Sequence, residues 1–446
     1  MTRAKAVTAG IVLAAALAGG GVVAYRRLRP DPAREMMRKA LPGWQVARSR
    51  EGQPGGEAAR ALLASAGRWP EVAAGFDEMD RAYPKEAEVR AAAGAVNRAL
   101  AKAGLPYFVD IQRAGSQPVA LSYELVTRVP WRIGARTVDV MRLRRLDTLN
   151  VEMGMYGITD EGLPVVLLDR IESVLAWTLP AMYGREGEMR RHLNDFDRAA
   201  LARERRLLEA RVGAGLAAAA ADLAERDHLL EVMRTRLHGG EIQLDPPDGF
   251  VLGARWLANL EPYTRFDRPG GPLLFDTDLH AVVRADEKLR AGEDARLLAA
   301  AVDVLASATE AHEARHALDE ADPNGPPPPP ALFGVMGESS TQFIGMADAE
   351  LRAYLGELHD TGSTACWVMA KMLRGVYGRG AGRTPHFFAT LTILRQLDSD
   401  PDREPDAQLA MLCDLPDTEL RGRVAAAWKK LYGTPMLPGQ RVAVVP

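Results

Sequence analysis

The stretch ATEAHEARHALDEAD, residues 308–322, contains His312, Glu313 and His316 in the spacing H-E-x-x-H. Four residues of a helix turn by about 400°, so the two histidines project from one face, about 6 Å apart along the axis. Two imidazoles placed in this way can share one zinc ion. Glu313 is turned about 100° from His312, which puts a carboxylate beside the metal position as a candidate general base. The stretch therefore predicts a helix that carries a metal site.

The residues before the motif indicate how this helix, expected to begin near Asp294, faces its surroundings. Helical spacing places both histidines on an apolar stripe made by Leu298, Ala301, Leu305 and Ala308. Imidazoles on a face that packs against a core need polar partners, and a metal would supply one. The alternative interpretation is an ordinary salt-bridged helix with packed, neutral histidines.

These residues resemble the zincins, which are zinc metallopeptidases built on an HExxH helix, and the resemblance is confined to about residues 294–358 of 446. Thr309, three residues before the first histidine, matches the family pattern. So do the uncharged neighbours Ala311, Ala314, Ala317 and Leu318. Glu310 and Arg315 depart from it. The resemblance implies a bound Zn²⁺, a peptide or protein substrate, and hydrolysis of a peptide bond.

In the gluzincin branch of that family, the third zinc ligand is a glutamate on a following helix. Glu350 lies at the edge of the apolar stripe of MADAELRAYLGEL, residues 346–358, so it can face inward and still border a cleft. Glu350 is the favoured ligand, and Glu338 and Glu357 are the alternatives. The resemblance thus implies a gluzincin-like site of two histidines and one glutamate.

A metzincin-like arrangement competes with this one, because Asp322 stands six residues after His316. Asp319 occupies the place of the glycine that lets a metzincin chain turn sharply, which weakens that reading. Asp319 is better interpreted as an acceptor for the second ring N–H of a ligand histidine. Tyr354, or alternatively His386, is a candidate donor to an oxyanion.

The N-terminus predicts contact with a membrane. Residues 6–25, AVTAGIVLAAALAGGGVVAY, are uncharged over about the length that spans a bilayer, and basic residues flank them. Ala16–Ala18 also resembles a signal-peptidase site. An anchor is favoured over a cleaved signal because the apolar run continues past that site. Membrane-anchored or exported protein, with the body on the periplasmic side of a bacterial-type envelope, is the expected localisation.

Changes of composition and periodicity suggest four segments: 1–29 as anchor or signal, 30–56 as linker, 57–240 as a helical and β domain, and 241–446 as a zincin-like helical domain. Alternating apolar residues over about 106–172 predict a small sheet. A long helix or helical hairpin is expected over 186–237, a short strand at Pro272–Phe275, and four helices after residue 338. The fold class is α+β, predominantly helical.

The charge of the chain argues against one class of partner, and its two cysteines raise the question of a disulfide. A net charge of −3 from 56 basic and 59 acidic residues gives no basic field, so nucleic acid is not an expected partner. Cys366 and Cys413 could pair in an exported body, but the apolar setting of Cys366 favours a free core thiol. The second hypothesis for function is a non-catalytic, membrane-tethered envelope protein whose HExxH helix is structural or vestigial.

Overall fold

The computed structural model describes residues 31–51, 56–114, 117–147, 157–160, 163–185, 193–239, 260–267, 271–320, 325–379, 381–398, 400 and 403–442. The expected membrane segment, residues 6–25, lies outside these ranges. Among the described residues, no helix combines the length and the apolar character needed to cross a bilayer. The described chain is mostly helical with a small mixed sheet, which confirms the α+β class.

The described residues divide into two compact units, which the chain visits in alternation. The first unit contains the described residues up to Leu125 and a second short segment, residues 145–147. The second unit holds residues 126–144 and the described residues from 157 onward. Every residue of the HExxH region belongs to the second unit.

Within the described residues, five helices and one strand pair build the first unit. The helices are α1 (Pro32–Glu35), α2 (Leu41–Glu51), α3 (Glu57–Ala66), α4 (Pro70–Ala82) and α5 (Glu86–Lys102), with a π-helical turn at Met36–Ala40 between the first two. Strand β1 (Tyr107–Ala114) pairs antiparallel with the first half of β2 (Gln117–Ile133). Residues 32–51 are helical where a linker was expected, because Met36, Met37, Leu41 and Trp44 are buried in the apolar core of this unit.

The sheet of the second unit has the order β2-β3-β5-β4, with β6 (Gly439–Arg441) pairing with β2. Strand β3 (Arg136–Arg145) runs parallel to β5 (Leu163–Leu167), and β4 (Gly157–Asp160) runs antiparallel to β5. Strand β4 is therefore an edge strand, and no strand pairs with its other side within the described residues.

Eleven helices of the second unit fall within the described residues. They are α6 (Leu168–Met182), α7 (Asp195–Val212), α8 (Leu216–His238), α9 (Asp276–Arg290), α10 (Gly292–Glu320), α11 (Pro330–Met336), α12 (Thr341–Asp360), α13 (Ala365–Tyr377), α14 (Pro385–Leu397), α15 (Pro405–Cys413) and α16 (Asp417–Tyr432). Helices α12 to α16 confirm the predicted C-terminal helices, including the break near Pro416. Helices α7 and α8 occupy the described part of residues 186–237, where one long helix or a helical hairpin was expected. The strand expected at Pro272–Phe275 was a wrong prediction, since these residues lead directly into α9.

Helix α10 is the central element of the second unit, and it packs against β4, β5, α12 and four further helices. Five of its buried side chains are alanines that are at most 1% exposed: Ala301, Ala306, Ala308, Ala311 and Ala314. Small side chains let neighbouring elements approach the helix closely, and Gly356 of α12 does the same from the other side. This packing fixes the position of the HExxH residues.

Cys366 and Cys413 form a disulfide that joins α13 to the end of α15, with Cα atoms 4.8 Å apart. The expectation of a free core thiol was therefore wrong. Apolar sequence around Cys366 correctly indicated burial of its helix, but it carried no information about the partner 47 residues further along the chain.

Candidate metal centre

The structure brings His312, His316 and Glu350 together, with one ligand atom from each lying within 4.8 Å of the others. Nε2 of His312 is 3.1 Å from Nε2 of His316 and 3.3 Å from Oε2 of Glu350. Nε2 of His316 is 3.7 Å from Oε1 of the same carboxylate. Helix α10 supplies both histidines and α12 supplies the glutamate.

This spacing fits a tetrahedral metal. Ligand atoms about 2.1 Å from a zinc ion at the tetrahedral angle are about 3.4 Å apart, which is close to the three separations above. Two imidazole nitrogens that face each other need a shared proton or a cation between them. Oε2 of Glu350 is also buried without a well-aligned hydrogen bond, although His386 Nδ1 lies 2.9 Å away. A metal would satisfy all three groups, so the donor set suits a divalent ion such as Zn²⁺.

Glu357 orients the first histidine. Its Oε2 lies 3.0 Å from Nδ1 of His312, and because an ionised carboxylate only accepts, Nδ1 carries the hydrogen and leaves Nε2 free for a metal. Lys371 of α13 donates to Glu357 at 3.1 Å. Burial alone would raise the pKa of Glu357, but the charge of Lys371 and the bond to His312 lower it. Glu357 is thus held ionised at 0% exposure.

Neighbouring charges strongly shift the pKa values of His312 and Glu350. Burial alone would lower the pKa of His312, but Glu350 and Glu357 outweigh it and raise this pKa to about 10. Burial would likewise raise the pKa of Glu350, yet the surrounding imidazoles hold it well below its usual range. Without a metal, the site is therefore a buried imidazolium–carboxylate pair.

Glu313 points toward strand β4. Its Oε2 accepts a hydrogen bond from the hydroxyl of Thr159 at 3.0 Å, and the same hydroxyl is 3.1 Å from the Glu313 carbonyl oxygen. Gly157 lies so close that a Cβ there would stand 2.5 Å from Oε1 of Glu313. Burial raises the pKa of Glu313, and the positive charge of the two histidines opposes that shift. A raised pKa suits a carboxylate that must take up and release a proton.

Tyr354 and His386 lie on one side of the metal position. The Tyr354 ring packs edge-on against His312 at 4.8 Å between centroids, and its hydroxyl is 3.2 Å from Nδ1 of His386. Tyr354 is 7% exposed, whereas the His386 side chain is 49% exposed and also contacts Glu350. His386 is thus the more accessible of the two candidate oxyanion donors.

Two of the alternative ligands lie outside the group of His312, His316 and Glu350: Glu338 is exposed, and Glu357 contacts Nδ1 of His312. Asp322, the third alternative, lies outside the described residues. Asp319 was expected to accept from a ligand histidine, but this prediction was wrong: Glu357 accepts from His312, and Oδ2 of Asp319 has no hydrogen-bond partner in the described part of the chain. Burial raises the pKa of Asp319.

The two charged residues that depart from the zincin pattern are buried. Glu310 is 0% exposed and accepts from Arg142 of β3 and from the indole of Trp131 at 3.1 Å. Arg315 is 4% exposed and pairs with Asp360 at 3.1 Å. Their partners lie on other elements, so α10 is not the solvated, salt-bridged face of the alternative interpretation.

Sequence reasoning missed three contributors: Glu357 as the partner of His312, Lys371, and Thr159. Glu357 follows Glu350 by seven residues, which is two helical turns, so a shared face was a usable signal. Lys371 and Thr159 belong to distant segments, and local spacing gives no sign of them.

Comparison with known protein families, with curated proteins and with solved structures finds no match for this chain.

Proposed function

We propose that the protein is a zinc-dependent hydrolase of the metallopeptidase type, in which His312, His316 and Glu350 hold the metal. The observation that carries this proposal is the convergence of three ligand atoms, 3.1, 3.3 and 3.7 Å apart, at separations that suit a tetrahedral zinc. A bound zinc would polarise the carbonyl of the substrate and lower the pKa of water to near 7.

The residues of the chain would move the proton and stabilise the charge. Glu313, oriented by Thr159, would accept a proton from water at its carboxylate and return it to the leaving amine. His386 and the Tyr354 hydroxyl would donate to the developing oxyanion. Glu357 and Lys371 would keep the imidazole of His312 in the binding tautomer.

An extended peptide is the proposed substrate. Strand β4 contacts the motif helix through Thr159 and Gly157, and one side of this edge strand is unpaired among the described residues. Free backbone donors and acceptors at a sheet edge can bind an added peptide strand. A peptide bound along β4 would lie beside Glu313, which supports peptide-bond hydrolysis.

We also propose that the protein acts in a cell envelope. The apolar run of residues 6–25 supports a membrane anchor or an export signal. The disulfide between Cys366 and Cys413 supports an oxidising compartment for the body, since such bonds are rare in reducing ones.

One observation favours a second candidate, a non-catalytic envelope protein. A charged His312 together with Lys371 balances the two carboxylates of Glu350 and Glu357 without a metal, so the same cluster would serve as a purely structural buried ion-pair network.

Glu313→Gln separates the two functions. The zinc-loaded wild type is assayed on a quenched-fluorescence peptide library, with and without a chelator, beside the variant. We expect chelator-sensitive cleavage by the wild type and a rate at least about 100-fold lower for Glu313→Gln, with zinc content unchanged. Equal rates for both proteins would remove Glu313 from the chemistry, and a zinc-loaded wild type that cleaves no peptide would favour the structural role.

A further inference from the structure

A cavity of about 580 Å³ opens in the second unit and shares no residue with the candidate metal centre. Helix α10 lines it with Asp303 and Ser307, the end of α12 with His359 and Asp360, and strand β2 with Trp131. A volume of this size accommodates a small-molecule ligand.

Three arginines from three different elements line this cavity: Arg211 at the end of α7, Arg421 of α16 and Arg441 of β6. Arg211 and Arg421 are exposed, and neither forms an ion pair with any residue that the structure describes. Arg421 lies over the turn after α12, where its Nη2 would be 2.5 Å from a Cβ at Gly362. The carboxylate of Asp417 lies 3.9 Å from the same point without forming an ion pair with Arg421.

The carboxylates of the cavity are already engaged elsewhere. Asp360 accepts from Arg315 at 3.1 Å and from the backbone N–H of Gly439 at 2.9 Å, and it lies 2.7 Å from Nδ1 of His359. Asp303 pairs with Arg142 at 2.6 Å. Neither Asp360 nor Asp303 therefore pairs with Arg211 or Arg421.

Arg441 has only a shared partner. Its Nε is 3.6 Å from Oε2 of Glu310, and that carboxylate already binds Arg142 and Trp131. Arg441 also donates to the Ser307 hydroxyl at 3.4 Å. The guanidinium keeps free N–H groups because these contacts use only part of its five donors.

We propose that this cavity binds the phosphate group of a small phosphorylated molecule. Guanidinium groups match phosphate oxygens in geometry and charge, and three of them line this one cavity, whose carboxylates Asp303 and Asp360 bind other arginines. The apolar side chains of Trp131, Val304 and Pro438, which line the same cavity, would contact the uncharged part of the ligand. This binding function is separate from hydrolysis at the metal centre.

Calorimetric titration of the full chain with inorganic pyrophosphate tests the proposal. The variants are Arg211→Gln and Arg421→Gln, and the matched control is Arg206→Gln, which removes an exposed arginine of α7 outside the cavity. We expect the wild type and the control to bind pyrophosphate equally, and each cavity variant to bind about tenfold more weakly. A titration with sodium chloride at matched ionic strength should give no binding signal.

Two results would overturn the proposal: no pyrophosphate binding by the wild type, or binding that both cavity variants retain unchanged. Arg211 and Arg421 are exposed and unpaired among the described residues, so both variants should fold, and a thermal melt checks this. Because the readout is binding, the result is independent of peptide hydrolysis.

Discussion

Glu357 accepts a hydrogen bond from His312 and another from Lys371. It therefore connects the lysine to the candidate metal ligands. Such an acceptor fixes both the ring orientation and the tautomer of a metal-binding histidine. A buried glutamate without Lys371 would tend to take up a proton, so the lysine is part of the same arrangement. The candidate metal centre therefore includes Glu357 and Lys371 in addition to its three candidate ligands.

Glu357→Gln tests whether the Glu357 carboxylate positions His312 for metal binding. The amide keeps the size of the side chain but loses the charge that favours Nδ1–H of His312, so we expect zinc affinity to fall by roughly 10–100-fold. Competition with a chromogenic chelator measures this affinity. The control is Glu338→Gln, at an exposed position on the approach to α12, which should leave affinity unchanged. Unchanged affinity in Glu357→Gln would show that the contact does not position the ligand.

Glu204 of α7 provides a prediction of pH dependence away from the metal centre. Burial raises its pKa in the folded protein, although Arg374 opposes the shift. The folded chain then holds this proton more tightly than the unfolded chain. The contribution of Glu204 to stability therefore falls as pH rises from the ordinary glutamate pKa through the raised one.

Glu204→Gln removes that titration. We expect the unfolding free energy to decline less in the variant than in the wild type as the pH rises above the ordinary pKa of glutamate. Urea unfolding at a series of pH values measures the difference, and Glu419→Gln, at an exposed carboxylate, is the control. A variant with the pH dependence of the wild type would contradict the assignment.

At the scale of elements, the close approach of β4 to α10 is the contact that places Glu313. Gly157 permits this approach, since a Cβ there would be 2.5 Å from Oε1 and 2.7 Å from Cγ of Glu313. The four-residue strand is held to α10 by the Thr159 hydroxyl as well. The position of the Glu313 side chain therefore depends on the contact between the edge strand and α10.

Gly157→Ala should disrupt the close contact between β4 and α10. We expect a loss of about 1–3 kcal/mol in unfolding free energy, because the added methyl must displace Glu313 or the strand, and a matching loss of peptide cleavage. Gly375→Ala is the control, because a Cβ at this position of α13 meets open space and replacement of a helical glycine is favourable. Wild-type stability and activity in Gly157→Ala would show that the contact is loose.

Helical spacing was sufficient to put His312 and His316 on one face, and the apolar stripe of α12 was sufficient to favour Glu350. Strand β4, with the sequence GITD, has too few residues to show alternation, so the sequence predicted a sheet in this region without identifying its edge strand. Lys371 and Thr159 reach the site only through tertiary packing, which no local period encodes.

Two wrong predictions, a linker over residues 30–56 and a free thiol at Cys366, have a common physical cause. Residues 30–56 are rich in Pro, Gly and charge, yet Met36, Met37, Leu41 and Trp44 supply enough apolar surface to fold a helical segment. Tertiary burial outweighed the local composition there. The disulfide partner of Cys366 was likewise set by the packing of α13 beside α15.

For the whole molecule, the disulfide joins segments 47 residues apart within the unit that carries the metal centre. Replacement of both cysteines by serine should lower the unfolding free energy by roughly 3–4 kcal/mol, because the unfolded chain loses a constraint. Urea unfolding under oxidising conditions measures this, and the wild type under reducing conditions should approach the double variant. Equal stability of the oxidised wild type and the double variant would contradict a disulfide in the native protein.

The central claim is that α10 and α12 together hold a metal, and metal content is its most direct test. Elemental analysis of the protein purified with zinc should give about one zinc per chain, and His316→Ala and Glu350→Ala should each lose it, since a zinc site with three protein ligands depends on each of them. Glu338→Gln should retain it. A wild type that holds no zinc after reconstitution, or variants that keep the full amount, would contradict the account.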